Sequence, residues 1–131
     1  MKFAVIALLM LASLLSFGQE KRKARKPPDV SVLASAAHRQ EGMVGLEGRV
    51  KNSSAKPIKG LILLFDFIAP NGQVITTKRG AVDEEILEPE AEADFRVETT
   101  DPVRAVHFRI QAEESNGRQL RVEPDGPKAI D

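Results

Sequence analysis

The chain of 131 residues contains no cysteine, no tryptophan and no tyrosine, and it has only two histidines. Without cysteine, neither a disulfide framework nor a thiolate metal site can form, so the fold must rest on apolar packing and backbone hydrogen bonds. Tryptophan and tyrosine are common at binding surfaces for sugars and proteins. We therefore expect the six phenylalanines to fill a core, and we do not expect a stacking platform for carbohydrate.

The chain also lacks the residue patterns of the common catalytic centres. His38 and His107 belong to no H-E-x-x-H motif, and a zinc site needs several converging ligands. No G-x-S-x-G elbow surrounds the serines, which are Ser31, Ser35, Ser53, Ser54 and Ser115. We predict a protein that is not an enzyme, with no catalytic, metal or cofactor site. The alternative is a hydrolase or metalloenzyme whose site is assembled from scattered residues, including His107 and carboxylates.

The N-terminus has the pattern of a secretory signal peptide. Lys2 precedes an apolar run over 3–17, and the small residues Ser16 and Gly18 follow where a signal peptidase would read them. The sequence predicts cleavage near Gly18 and export to the periplasm or the extracellular space. A retained membrane anchor is the alternative, although the run of about fifteen residues is shorter than the roughly twenty that a spanning helix needs.

Positive and negative charges balance over the chain, with 19 of each, but they are unevenly distributed. One basic block precedes Pro27 and Pro28, and it consists of Lys21, Arg22, Lys23, Arg25 and Lys26. We predict that residues 19–28 form a basic flexible linker. Because the chain is expected to be exported and the block lacks aromatic residues, a nucleic-acid partner is not expected. Attraction to an anionic membrane surface is the physical alternative, at about 1 kcal/mol for each basic residue close to it.

Residues 29–124 show the period of β-strands and predict one all-β domain. The alternation is clear in three segments, whose inward residues are expected to be Val44, Leu46, Gly48 and Val50, then Ala91, Ala93, Phe95 and Val97, then Val106, Phe108, Ile110 and Ala112. Ala105, His107, Arg109 and Gln111 are expected to point outward. A weaker, edge-strand pattern begins the domain, with Val30, Val32, Ala34 and Ala36 on one face. About seven strands with short turns predict an immunoglobulin-like antiparallel β-sandwich.

The longest apolar run of the domain extends from Ile58 to Ile68, and it predicts a single central strand. It ends at Ala69-Pro70-Asn71-Gly72, a turn that leads to a hairpin partner over 73–79. A helix over 61–67 is the competing interpretation. Aspartate at Leu64 or Phe108 is expected to unfold the domain, because it would bury an unpaired charge.

The last part of the domain predicts a hairpin and a closing strand. Asn116-Gly117 forms the hairpin turn, Leu120 and Val122 lie in the last strand, and residues 125–131 are expected to be a flexible end. Asn52-Ser53-Ser54 matches the acceptor pattern for N-glycosylation, which matters only in a secreting eukaryote.

Acidic residues are concentrated in one region, at Asp83, Glu84, Glu85, Glu88, Glu90, Glu92 and Asp94. Carboxylates at close range are ligands for Ca²⁺. In an extended strand, however, alternate carboxylates lie about 7 Å apart on one face, and no D-x-D-x-D-G loop occurs. We therefore expect a charged outer face that keeps an exposed strand from pairing with another molecule.

The stretch from about Val44 to Ile110 resembles the FxLYD family of bacterial and archaeal extracytoplasmic β-sandwich domains. The name-giving pattern corresponds to Ile62-Leu63-Leu64-Phe65-Asp66. Further similarities are Glu47 to Ser53 for the G-x-V-x-N strand, Asn71 to Val74 for a hairpin, and Leu87 to Phe95 for an L-x-P-G-x-x-x-x-F strand. Ile62 and Phe65 replace the Phe and Tyr of the family, and Glu90 stands where Gly is usual. The resemblance implies an accessory module of exported proteins and brings no catalytic residues.

From these observations we expect an exported, non-enzymatic module that contacts another envelope or extracellular protein through a sheet edge or a loop cluster. The alternative is a structural module that associates with the membrane surface or the cell wall through its basic N-terminal segment. The partner, the binding residues and the oligomeric state do not follow from the residues.

Overall fold

The structure is a computed structural model that describes residues 27–131. This part of the chain forms eleven strands and no helix. The strands are β1 (Val30–Gln40), β2 (Met43–Asn52), β3 (Ile58–Lys59), β4 (Ile62–Ile68), β5 (Val74–Ala81), β6 (Ile86–Leu87), β7 (Glu92–Thr100), β8 (His107–Glu113), β9 (Gln119–Leu120), β10 (Val122–Glu123) and β11 (Lys128–Ala129). The helix that competed for 61–67 is therefore excluded.

Two sheets face each other and form a sandwich. The first has the strand order β10-β1-β2-β7, and the second has the order β11-β8-β4-β5, with β9 also paired to β8. The two-residue strands β3 and β6 form a small third sheet. The all-β sandwich predicted from the alternation is confirmed, with six long strands and five strands of two residues. The expected signal peptide lies outside the described residues, as does nearly all of the expected linker.

The core lies between the two sheets and is rich in phenylalanine. Phe65, Phe67 and Phe108 are almost completely buried. The rings of Phe65 in β4 and Phe95 in β7 meet across the sandwich, with centroids 5.4 Å apart, a distance typical of tilted aromatic pairs. The alternation predicted for β2 and β7 is confirmed, because Leu46, Val50 and Phe95 are buried while their strand neighbours lie outside.

A β-bulge in β1 reverses the alternation predicted for that strand. The register with β2 shifts between Val32 and Ala34, and beyond it Ala37, not Ala36, pairs with the inward Leu46. The prediction that Ala34 and Ala36 share the face of Val32 was therefore wrong, because one extra residue moves every later side chain to the other face. β1 is not an edge strand at its start either, since Val30 pairs with β10 as well as β2.

The bulge lies beside Gly48, where the two strands and an aromatic ring come close together. A Cβ atom at Gly48 would lie 2.1 Å from the carbonyl oxygen of Ala34 and 2.7 Å from the ring of Phe95. No side chain larger than hydrogen fits there. Gly48 thus permits the bulge and the ring position at once.

The apolar run predicted as one central strand is divided between two sheets. Gly60 has φ of 63°, which glycine adopts readily, and the chain turns there from β3 into β4. Within β4 the even-numbered residues point away from the core, and Leu64 is half-buried rather than buried. The expectation that Leu64 is a core residue was therefore wrong, whereas Phe108 is a core residue, with 1% exposure.

The start of β8 also differs from the predicted alternation. Ala105 was expected to point outward, but it is buried, and Val106 is exposed. Ala105 precedes the strand and lies in a turn, where its N–H donates to the carbonyl oxygen of Pro102 at 2.7 Å. The alternation of β8 therefore begins at His107. The prediction applied it to Ala105 and Val106 as well, and so placed both residues on the wrong side.

Candidate functional site: the open side of the sandwich

Residues 119–131 close one side of the sandwich, which we call the sealed side. Leu120 pairs with β8 of one sheet, and Val122 pairs with β1 of the other. The single closing strand predicted for Leu120 and Val122 is therefore two strands in different sheets. The chain crosses from one sheet edge to the other within these few residues.

The last residues continue this closure. Lys128 and Ala129 pair with β8, the N–H of Asp131 donates to Ala37 O at 2.9 Å, and the N–H of Arg39 donates to Asp131 O at 3.1 Å. The end that was expected to be flexible, 125–131, thus contains residues that are hydrogen-bonded to both sheets. Its backbone groups satisfy edge groups of β1 and β8.

The opposite side is formed by β5 and β7, and we call it the open side. Each is the last strand of its sheet, and in residues 27–131 no main-chain group bonds to the outer edge of either strand. The two strands approach each other at Gly80, where a Cβ atom would lie 2.6 Å from Val97 Cγ2. Two unpaired edges therefore lie side by side, one from each sheet.

The hydrogen-bond pattern identifies which groups of β5 are unpaired. The N–H of Ala69 donates to Gln73 O across the hairpin, and antiparallel ladders alternate between bonded and non-bonded pairs. Phe67 with Thr76, Phe65 with Lys78 and Leu63 with Gly80 are therefore the bonded pairs of β4 and β5. The main-chain groups that remain point to the open side, and they belong to Thr77, Arg79 and Ala81.

The outer edge of β7 carries charge along its length. The N–H of Asp101 donates to Gly42 O, so by the same alternation odd-numbered residues of β7 bond to β2. The even-numbered residues direct their main chain to the open side. Four of them have exposed charged side chains, and the fifth is Thr100 at the end of the strand; the four are Glu92, Asp94, Arg96 and Glu98. Such an edge resists an added strand.

Ion pairs with β2 hold the last three residues of the acidic run, Glu90, Glu92 and Asp94, in place. Arg49 Nε lies 2.9 Å from Asp94 Oδ1, and Lys51 Nζ lies 2.7 Å from Glu90 Oε2. Hydrogen bonding to Asp94 raises the pKa of Arg49, and hydrogen bonding to Glu90 raises the pKa of Lys51. These carboxylates therefore meet basic side chains on a sheet face rather than one another around a cation.

The first half of β5 has no charge. Val74, Ile75, Thr76 and Thr77 are exposed, and Val74 and Ile75 are among the most exposed large apolar residues. The bulge between β4 and β5 lies at Val74 and Ile75. Both open edges have unpaired main-chain groups, but β5 is the one that begins with exposed apolar and hydroxyl side chains, which are residue types that favour strands.

A buried carboxylate on the neighbouring strand β4 anchors β5, and sequence reasoning did not identify it. Asp66 is 6% exposed and accepts three hydrogen bonds: from Thr77 Oγ1 at 2.7 Å, from Arg109 Nη2 at 2.9 Å and from Gln111 Nε2 at 2.6 Å. These residues lie on the outer face of β5, β4 and β8. Asp66 thereby links the edge strand to the two strands behind it. The signal in the sequence was a lone aspartate within an apolar strand.

The histidines do not form a site with other ligands. His38 is exposed and its Nδ1 lies 3.7 Å from Asp131 Oδ2, and His107 is exposed at the start of β8. In residues 27–131 no three histidine or acidic side chains are placed to hold one metal ion.

Asn52 is a second buried polar residue, and its side chain organises the loop after β2. Its Nδ2 donates to Lys56 O and Leu87 O, both at 2.8 Å, and its Oδ1 accepts from the N–H and the hydroxyl of Ser54. All of its side-chain bonding capacity is used inside the protein. The glycosylation pattern at Asn52 is therefore buried in the folded domain.

The basic block of Lys21, Arg22, Lys23, Arg25 and Lys26 lies outside the described residues. Its contact with a membrane surface stays a prediction. Residues 27–131 include no helix with the length and apolar character to cross a bilayer.

Comparisons with known proteins show the fold and no family. No family model matches the chain, and no curated protein matches it. Among solved structures, β-glucuronidase 2 of Bacteroides uniformis matches 79% of this chain with a TM-score of 0.57 and 13% identity, but this covers only 14% of that enzyme. The putative ApaA protein of Bordetella pertussis matches 80% of this chain and 94% of its own, with a TM-score of 0.50 and 15% identity. At these identities the likeness indicates a shared β-sandwich architecture alone.

Proposed function

We propose that the protein is an exported, non-enzymatic module that binds another protein of the envelope or extracellular space by accepting an added strand at β5. The observation that carries the proposal is the difference between the two sides of the sandwich. The protein's own backbone covers both ends of the edges of β1 and β8, whereas Thr77, Arg79 and Ala81 direct unpaired main-chain groups outward. Unpaired edge groups of this kind bind an extended segment by β-augmentation.

The support beneath β5 favours the same function. An edge strand that receives another strand must hold its own position, and the bonds of Asp66 to Thr77, Arg109 and Gln111 provide this. A preorganised edge loses less conformational entropy when a partner binds.

Family membership is part of the proposal. Glu90 occupies the position where FxLYD domains have glycine, and its φ is 69°, a left-handed conformation that favours glycine. This agreement between the family pattern and the backbone supports the resemblance, and with it a role as an accessory module.

Site-specific crosslinking tests the proposal. Because the chain has no native cysteine, an introduced cysteine is the single reactive thiol. A cysteine at Ala81 lies on the open side, and a cysteine at the equally exposed Ala129 lies on the sealed side. We expect a disulfide- or maleimide-linked adduct with one specific envelope protein from the first position and not from the second. Arg79→Pro should remove the adduct because it removes an outward N–H, whereas Arg79→Ala should keep it. Equal adducts from both positions, or adducts indifferent to proline, would contradict the proposal.

The alternative function is association with an anionic membrane surface through the basic block. It predicts binding of the full chain to vesicles that contain anionic lipid, weakening with added salt, and loss of binding when all five basic residues are neutralised. Binding that is independent of salt would exclude it.

A further inference from the structure

Lys78 is the one lysine on β5, and its position is unusual for a charged residue. It pairs directly with Phe65, and directly opposite residues share a face, so its side chain starts on the inner side of the sheet. It is half-buried, and within residues 27–131 no carboxylate pairs with it. A lysine in this position extends its ammonium group past the strand edge to reach water. An ammonium group with no ion-pair partner among residues 27–131 is thus directed toward the open side.

The neighbouring polar side chains of β5, Thr77 and Arg79, already have partners. Arg79 Nη2 lies 2.8 Å from Glu113 Oε1, and Thr77 donates to Asp66. Lys78 is thus the group on β5 that an incoming strand could neutralise.

An added antiparallel strand would place one residue directly opposite Lys78. The main chain of Lys78 is directed to β4, so this cross-strand pair is of the non-hydrogen-bonded type, in which Cα atoms are about 4.5 Å apart and side chains are closest. Beyond it, toward the start of β5, the incoming strand would meet the exposed apolar side chains of Val74 and Ile75.

We propose that the strand accepted by β5 is an extended, antiparallel segment with Asp or Glu opposite Lys78, followed three or four residues later by apolar β-branched residues. This inference rests on the proposed function and specifies the chemistry of the partner. The carboxylate pairs with the Lys78 ammonium group, main-chain bonds form with Thr77, Arg79 and Ala81, and the apolar residues cover Val74 and Ile75.

A second copy of this chain fits the edge less well. Symmetric antiparallel pairing of β5 with itself, centred on Lys78 or Arg79, brings like charges directly opposite each other, which is destabilising. Centred on Thr77, it places Lys78 opposite Thr76. Because β5 contains no Asp or Glu, no register within the strand places a carboxylate opposite Lys78.

The test measures binding of synthetic peptides to the full chain by fluorescence anisotropy. The first peptide has eight residues to match the eight of β5, with glutamate at its fourth position, opposite Lys78, and valine and threonine elsewhere. The second has glutamine at the fourth position. We expect the glutamate peptide to bind roughly fivefold more tightly, as for a close cross-strand ion pair. Lys78→Gln should remove this difference, and Lys56→Gln, at an exposed lysine of a loop, should retain it.

Methylation of the peptide backbone tests strand addition at β5 separately from the carboxylate opposite Lys78. A methyl group on the amide opposite Arg79 should prevent binding, whereas a methyl group on the next amide, which points away from β5, should not. If methylation has this effect but glutamate and glutamine bind equally, the partner chemistry is wrong and strand addition stands. If methylation at either amide has the same effect, or no peptide binds, the proposed function fails as well.

Sedimentation of the chain without peptide decides between partner and self. We expect a monomer at micromolar concentration. A dimer that Arg79→Pro dissociates and Arg79→Ala preserves would overturn the inference, because a second copy would then occupy the edge.

Discussion

The sealed side and the open side of this sandwich solve the same physical problem in opposite ways. Every sheet ends in strands with unpaired main-chain groups, and these groups can bind other chains. On the sealed side, the backbone of residues 119–131 bonds to both ends of the edges of β1 and β8. On the open side, charge protects β7 along its length, whereas β5 has a bulge and two basic residues, Lys78 and Arg79. The comparison shows that this sandwich can bond its own sheet edges, because it does so on one side. The sandwich fold alone therefore does not explain why the edge of β5 is left exposed.

Deleting residues 128–131 should have the largest effect, since it opens the sealed side. It removes the β11 ladder and the bonds of Ile130 and Asp131 to Val106, Ala37 and Arg39. At about 1 kcal/mol for each bond, loss of the three bonds of Ile130 and Asp131 alone should lower the free energy of unfolding by about 3 kcal/mol. Urea unfolding followed by far-UV circular dichroism measures this, because the chain has no tryptophan or tyrosine for fluorescence. Arg79→Pro on the open side is the control. An equal loss of unfolding free energy in this variant would mean that the two sides do not differ in their contribution to stability.

Gly80→Ala should be next, because it acts where β5 and β7 touch. The added methyl group would lie 2.6 Å from Val97 Cγ2, and overpacking of this kind costs about 1–3 kcal/mol. Thermal unfolding should show the loss, and Val97→Ala in the same chain should recover part of it. At Gly45, a Cβ atom would meet nothing within 4 Å, so Gly45→Ala should change stability by less than about 0.5 kcal/mol. A silent Gly80→Ala would mean that the two open edges do not pack together.

Glu114 should make the turn between β8 and β9, next to the sealed side, sensitive to acid. Its carboxylate accepts a hydrogen bond from Arg118 Nε at 2.7 Å and one from the N–H of Lys59 at 3.3 Å. The bond from Arg118 is the main cause that lowers the pKa of Glu114. A lowered pKa stabilises the fold above the unfolded-state value, and this contribution is lost as the pH falls through the folded-state value.

The corresponding test compares Glu114→Gln with the unchanged chain in urea. The variant should be less stable by about 1–2 kcal/mol at neutral pH, and the two should converge as the pH falls through the lowered pKa of Glu114, since both side chains are then neutral. Glu85→Gln, at an exposed loop position, should match the unchanged chain throughout. A gap that persists in acid would show that the charge of Glu114 is not the cause.

Neutralising the outer edge of β7 should have the smallest effect on stability. It should also remove the protection by charge that distinguishes β7 from β5. Asp94→Thr with Glu98→Thr changes only exposed residues, so the free energy of unfolding should stay within about 1 kcal/mol. Sedimentation should nevertheless show new self-association through β7. The same two changes at Glu85 and Glu88 provide the control. Unchanged sedimentation would mean that charge is not what protects this edge.

The alternation of side chains was sufficient to predict the sandwich and the inward faces of β2 and β7. In these strands the period of two is unbroken, and one face meets solvent, so polar and apolar residues alternate clearly. Where the period shifts, the prediction failed. The bulge in β1 requires the carbonyl oxygen of Ala34 to lie close to Gly48. The break at Gly60 requires a positive φ, and the pattern of apolar residues does not indicate backbone conformation.

The open edge could be predicted only in part. The turn at Pro70 to Gly72 indicated a hairpin that ends in β5, but strand order is a tertiary property, so nothing local showed that β5 has no second neighbour. The function of Asp66 was hidden for a similar reason, since Thr77, Arg109 and Gln111 converge on it from two other strands. The sealed side was missed because proline and glycine near the end resemble a loose tail.

The burial of Asn52 has a practical consequence for producing this protein. An oligosaccharide can be transferred to this side chain only while the chain is unfolded, because the folded domain encloses it. An attached sugar would block the bonds to Lys56, Leu87 and Ser54 and leave their polar groups without partners. Eukaryotic secretion hosts should therefore yield a modified, misfolded fraction that bacterial expression avoids.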